Sequence, residues 1–230
     1  MLDPNAQADL MRSLGRLVRG LSALFWGLPL ALVVSVQTGY THVWAAFGLA
    51  PPILVNALVV FAIREIGHFQ PGERIWCRAV DRCRLLALMN LGLSPFLLWW
   101  RRMPEVLHYQ FSVLVMAVSG LALLFAVNQM LERLAAMLPD ETLRMEARFI
   151  TPLNQGLVAA VLLLGALWVG LRVLTLVPWP LLPLLVIASQ GGWIILLMLV
   201  LLPLALTMAL IWKVKETILA SVFATGTSRQ

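Results

Sequence analysis

Apolar residues along this chain fall into long blocks rather than into the three-and-four spacing of a soluble amphipathic helix. A block of about 20 apolar residues, rising 1.5 Å per residue, covers about 30 Å of hydrocarbon. Six blocks approach that length: 21–37, 43–63, 85–100, 110–131, 155–177 and 193–212. The pattern predicts an all-α, polytopic transmembrane bundle of six spans, formed as a single membrane domain over 1–230. The first block contains Pro29. In the second, Pro51-Pro52 predicts a kink or a delayed helix start. The third block is the shortest and is interrupted by Gly92 and Ser94-Pro95. Its Pro95 frees a carbonyl around Leu91, which the Ser94 hydroxyl is placed to satisfy. The last block is readable as one run from Pro183 to Trp212, but Gln190-Gly191-Gly192 predicts a break that confines the span to Trp193–Trp212.

The polar stretches between blocks carry patterns of their own. GERIWCRAVDRCRLL sets Ile75, Trp76 and Val80 among arginines, predicting an interfacial amphipathic helix over 72–84 that runs into the third span. LPDETLRMEARFITP predicts a second helix on the same side over 140–150. Asp140 is its expected N-cap, Glu141 complements its dipole and Pro152 is expected to close it.

Composition agrees with lipid as the solvent. The 230 residues are 61% hydrophobic and 12% charged, about half the charged fraction of soluble domains. The net charge of +6 therefore reports topology rather than a nucleic-acid partner. With both termini on one side, fourteen of the 17 Lys and Arg residues fall in segments on that side, leaving Arg101, Arg102 and Arg172 opposite. That asymmetry predicts N-in and C-in, with a bacterial inner membrane as the expected location and the first span as a retained signal anchor. Cys77 and Cys83, without a CxxC, are expected to be free thiols if they face a reducing compartment.

Candidate chemistry is sparse. None of the six blocks carries an Asp, Glu, His or Lys at mid-depth, which argues against a proton relay or a Schiff base. GxSxG and HExxH are absent, no metal site is expected, and the pattern points away from an enzyme. The polar residues expected between helices or along a path are Asn56, Asn90, Ser94, Asn128, Gln129 and Gln190, with Ser119, Thr175, Ser189 and Thr207 as further hydroxyls within the apolar runs. Gly156, Ala160, Ala166 and Gly170, each pair four residues apart, predict close helix packing and a buried fifth span. No cofactor is expected. The one alternative is b-type haem on His42 and His108, which share the outer membrane level.

Trp99-Trp100 should mark a headgroup level, with Arg101 and Arg102 directly beyond. The arginines either anchor the short third span on phosphates or converge with Arg172 and His108 as a cationic patch for lipid or an anionic ligand. Loops too short for soluble domains, and large Leu-rich faces, lead to a non-catalytic membrane subunit or scaffold. Its expected partners are lipid and other membrane subunits or further copies of itself. The alternative is a transporter or channel for a small or lipid-like solute, its path lined by the broken elements at Pro51-Pro52, Ser94-Pro95 and Gln190-Gly191-Gly192. A haem-bearing anchor is the third reading.

Overall fold

The computed structural model describes the backbone of residues 4–41, 43–70, 72–138, 140–173 and 182–227, with side chains over 11–166 and 198–220 apart from positions 42, 45, 71 and 139. The described residues form α1 (Pro4–Tyr40), a short 3₁₀ turn (Ala45–Phe47), α2 (Ala50–Gly67), α3 (Arg74–Leu93), α4 (Phe96–Arg102), α5 (Leu107–Met137), α6 (Glu141–Val173) and α7 (Leu182–Thr227). Six helical segments are long and apolar enough to cross a membrane, with α3 and α4 together making one of them.

The helices outrun the hydrophobic blocks because their buried faces continue into polar sequence. In α1, Leu17, Leu21, Leu24 and Leu28 are buried, whereas Arg12, Arg16 and Arg19 on the other face are exposed. The helix thus runs well before residue 21. In α3, Trp76, Val80, Cys83, Ala87 and Asn90 follow the four-three spacing of one helix face, and all are buried. The segment expected to run as a helix into the third span does so, as the first half of α3. Trp76 enters the protein core, and Ile75 is the residue left exposed.

Prolines divide by position. Pro51 and Pro52 occupy the first turn of α2, where a missing N–H costs nothing, and so delay its start as expected. Ser94-Pro95 separates α3 from α4, and Ser94 Oγ donates to the Leu91 carbonyl at 2.8 Å. Pro152 does not close a helix: α6 runs through it from Glu141 to Val173. Interior proline removes one backbone bond, but helices in apolar surroundings tolerate it when neighbours hold the freed groups. Here Thr151 and Asn154, flanking Pro152, both turn into the bundle. Likewise α7 continues through Gln190-Gly191-Gly192 for 46 residues, so no break confines the last span.

Helix adjacency gives a ring, α1–α2–α3–α5–α7 and back to α1, with α4 bridging α1 and α5. α6 packs outside the ring on the seam between α5 and α7. α5, which borders α3, α4, α6 and α7, is the central helix, and Val127, Met130, Leu131 and Leu134 on it are fully buried. α1 and α2 are in close contact at Gly20, where an added Cβ would lie 2.7 Å from Ile66 Cγ1 and 2.9 Å from the Ala62 carbonyl oxygen.

At the start of α6, Asp140 Oδ1 accepts from the Thr142 hydroxyl at 2.6 Å and from the N–H groups of Thr142 and Leu143 at 3.0 and 3.3 Å. The Thr142 hydroxyl first, and then the Leu143 N–H, hold this carboxyl below the usual carboxylate range. A lowered folded pKa means that the contribution is present above the unfolded value and is lost as pH falls through the folded one. The protection of amides over 141–146 from hydrogen exchange, relative to the unstructured chain at the same pH, is accordingly expected to fall on acidification below about pH 4, and Asp140→Ala is expected to remove that step.

Candidate functional site

The most buried polar assembly lies where α5, α6 and α7 meet. Asn128 Nδ2 on α5 donates to Thr207 Oγ1 on α7 at 2.9 Å and to its own Leu124 carbonyl at 2.8 Å. Asn154 Nδ2 on α6 donates to the same Thr207 oxygen at 2.9 Å and to the Pro203 carbonyl at 3.1 Å. Thr207 in turn donates to the Pro203 carbonyl at 2.7 Å. One hydroxyl thus accepts from two amides on different helices. Each amide's second bond fixes which of its ends points at Thr207. Three oxygens in this neighbourhood, Asn128 Oδ1, Asn154 Oδ1 and Thr151 Oγ1, have no hydrogen-bond partner among the described residues.

The junction's energetic weight can be measured. Interhelical polar bonds in apolar surroundings contribute roughly 0.6–2 kcal/mol each. Thr207→Val, which strips the shared acceptor, is expected to cost about 1–3 kcal/mol in detergent unfolding. Thr151→Val removes a hydroxyl with no partner and is expected to be neutral or stabilising.

The other sequence candidates are held mostly by their own helices. Asn56 Nδ2 donates to the Pro52 carbonyl at 2.8 Å, and Asn90 Nδ2 to the Leu86 carbonyl at 2.9 Å. Ser119 Oγ lies 3.2 Å from Asn90 Oδ1 and 3.0 Å from the Met116 carbonyl, tying α5 to α3. Gln129 is half-buried on α5. The side chains of Gln190, Ser189, Thr175, Arg172, Gly170 and His42 lie outside the described residues. Gly156 is exposed, with nothing within 4 Å of an added Cβ, and Ala166 is exposed as well. Ala160 is half-buried, and among the described residues the buried face of α6 is Leu143, Ala147, Thr151, Asn154, Val158 and Val161, which includes neither Gly156 nor Ala166.

The arginine pair divides. Arg101 Nη1 donates to the Thr41 carbonyl at 2.7 Å and reaches the Thr38 carbonyl at 3.5 Å, so it satisfies the C-terminal carbonyls of α1 from α4. Trp100 reinforces that joint by lying edge-on to Tyr40, with ring centroids 5.7 Å apart. Arg102 and His108 are exposed, and the His108 ring lies edge-on to Phe96 at 5.7 Å. Arg101→Gln is therefore expected to lower unfolding stability by about 1 kcal/mol. Arg102→Gln is expected to change it by less than about 0.5 kcal/mol in the same assay.

At the other end of the bundle, Glu146 of α6 and Lys213 of α7 form a half-exposed ion pair. No group of three or more His, Cys, Asp or Glu able to hold a metal occurs among the described residues. Asn154 and Thr151 are the site residues that sequence reasoning missed. Both fall just before the block 155–177, on the polar side of its hydropathy edge, and their spacing of three was the available signal. Comparison with protein-family models, with curated proteins and with solved structures found no match.

Proposed function

We propose that this chain is a non-catalytic, multi-spanning subunit of a bacterial inner-membrane assembly, with both termini on the cytoplasmic side. It holds partner subunits, or a second copy of itself, in lipid. The observation that carries this reading is the use made of the interior polar groups. Asn56, Asn90, Ser94, Ser119, Asn128, Asn154 and Thr207 all spend hydrogen bonds on the chain's own helices. These bonds are met within one helix at Asn56, Asn90 and Ser94 and reach across helices at Ser119, Asn128, Asn154 and Thr207, so they serve the bundle itself, as a scaffold requires. Large apolar side chains such as Phe111, Phe149 and Leu163 face outward, available to lipid and neighbours. Arg102, exposed beyond Trp99, suits lipid phosphate.

A second reading, a transporter or channel for a small polar solute, draws on the unpartnered oxygens of Asn128, Asn154 and Thr151. Such acceptors, buried beside Pro203 where three helices meet, are the groups a solute would use. Purification in mild detergent, followed by intact-complex mass spectrometry and an absorbance spectrum, separates the readings. Stoichiometric partner chains support the scaffold. A lone oligomer that moves solute across vesicles supports the transporter. A Soret band lost in His108→Ala would instead make the chain a haem-bearing anchor. Reporters fused to the two termini should register on the same side of the membrane.

A further inference from the structure

Between α3 and α5 runs an apolar groove of 320 Å³, lined by Leu86 and Met89 on one side and by Leu114, Val115, Val118 and Ala122 on the other. Ser119 also reaches it, but its hydroxyl is engaged with the Met116 carbonyl and Asn90 Oδ1. The groove thus takes an apolar occupant.

What continues from it identifies the occupant. On α3, Arg78 and Arg82 precede Leu86 by two turns and one turn on the same helix face, and both are exposed. Arg78 uses one N–H, from Nε, on the Arg74 carbonyl at 3.3 Å. The helices are antiparallel, because Asn90 meets Ser119 while Phe96 meets Tyr109. That register sets Arg82 level with Val127 and Arg78 level with Leu131. On α5, the stripe that starts at Val115, Ser119 and Ala122 reaches Gln129 and Arg133 at the same depth. Asp81 and Glu132 are the acids at that level, against Arg78, Arg82 and Arg133. A trough for a hydrocarbon chain therefore ends, one turn further along, in a net positive rim. A neutral lipid has no use for that rim, and a partner helix would have to carry acids at this one depth.

We propose that the groove binds a phospholipid with an anionic headgroup, its acyl chain lying between α3 and α5 and its phosphate on Arg78 and Arg82. The assignment requires only that the chain spans a bilayer, and it stands whether the protein is a scaffold or a transporter.

The test uses the full-length protein, delipidated in detergent and titrated with phosphatidylglycerol or phosphatidylcholine, with bound lipid counted by native mass spectrometry. Phosphatidylglycerol is expected to bind in preference to phosphatidylcholine. In the R78Q/R82Q double variant, its affinity is expected to fall about thirty-fold. Ala122→Trp, which fills the groove, is expected to weaken binding while leaving the arginines in place. The R16Q/R19Q double variant, which removes the same charge from exposed positions on α1, is expected to bind as the unmodified protein does. Equal binding of the two lipids, unchanged binding in R78Q/R82Q, or an equal loss in R16Q/R19Q would overturn the assignment. Cross-linking of Ala122→Cys to another protein in intact membranes would overturn it in favour of a partner helix.

Discussion

Replacing Trp76 with alanine is expected to cost about 3–5 kcal/mol, the range for truncating a fully buried large aromatic, and to be the most damaging single truncation among the described residues. Trp76 is the largest fully buried side chain among the described residues. It sits in the first turn of α3, edge-on to Phe69 with ring centroids 6.4 Å apart, and fixes the reversal between α2 and α3. Two neighbouring features bar relaxation into the void. An added Cβ at Gly67 would already lie 2.9 Å from Val80 Cγ1, so the helix pair is in contact there and has little room to close further. Val80 and Cys83, one and two turns further along the same face, are themselves buried. The indole N–H has no hydrogen-bond partner among the described residues. Trp76→Phe is therefore expected to lose only volume and to cost about 1–1.5 kcal/mol. Equilibrium unfolding of both variants in detergent, followed by helical circular dichroism, separates packing from polarity. An alanine variant as stable as the phenylalanine one would mean that the turn is held by something else.

Gly20→Leu is the second large effect, expected at about 3 kcal/mol or more, the upper end of overpacking costs. The contacts an added Cβ would meet include the Ala62 carbonyl at 2.9 Å and the Ile66 backbone nitrogen at 3.0 Å. Backbone atoms cannot rotate aside as a flexible side chain does, so α1 would have to part from α2. Gly27, two turns on, is more forgiving. There the nearest atom is Val59 Cγ2 at 3.2 Å, a side-chain methyl, so Gly27→Ala is expected to cost less than Gly20→Ala in the same measurement. Cysteine pairs across α1 and α2 should cross-link readily in the unmodified chain and poorly in Gly20→Leu.

The positions of these two residues show what was legible in the sequence. Long apolar blocks marked the six segments, because burial in lipid leaves few alternatives to a helix. Pro51-Pro52 and Ser94-Pro95 were readable as a start and a stop, since proline acts through its own missing N–H. Extents were harder. The buried face of α1 reaches back to Leu17 beside three arginines, and a hydropathy block ends where charge begins even when one face continues. For the same reason Trp76 looked interfacial among arginines, although its spacing with Val80, Cys83 and Ala87 already described one buried face.

Helix contacts were less legible still. The small pairs on α6 and the small residues Gly20, Ala23, Gly27 and Ala31 on α1 carry the same kind of signal, yet a neighbour comes close at Gly20 and none does at Gly156. Spacing says that a neighbour could come close; only the packing of the whole bundle decides whether one does. At the polar junction Asn128 and Thr207 could be recognised singly, but their meeting through Asn154 joins residues 79 and 53 apart in sequence. At the opposite end, Arg101 looked like a lipid anchor until its acceptors proved to be carbonyls sixty-odd residues earlier.

The placement of α7 in the ring bears on how the chain is made. Synthesis delivers α1 to α6 to the bilayer before α7, yet α7 is the piece that joins α5 back to α1, where Trp212 lies 5.9 Å from Phe25. Until it arrives, Asn128 and Asn154 have no Thr207 to share, and Asn154 lacks the Pro203 carbonyl as well. An intermediate that holds α1 to α6 but not α7 thus leaves α5 and α1 unjoined, with two amides short of their interhelix acceptor.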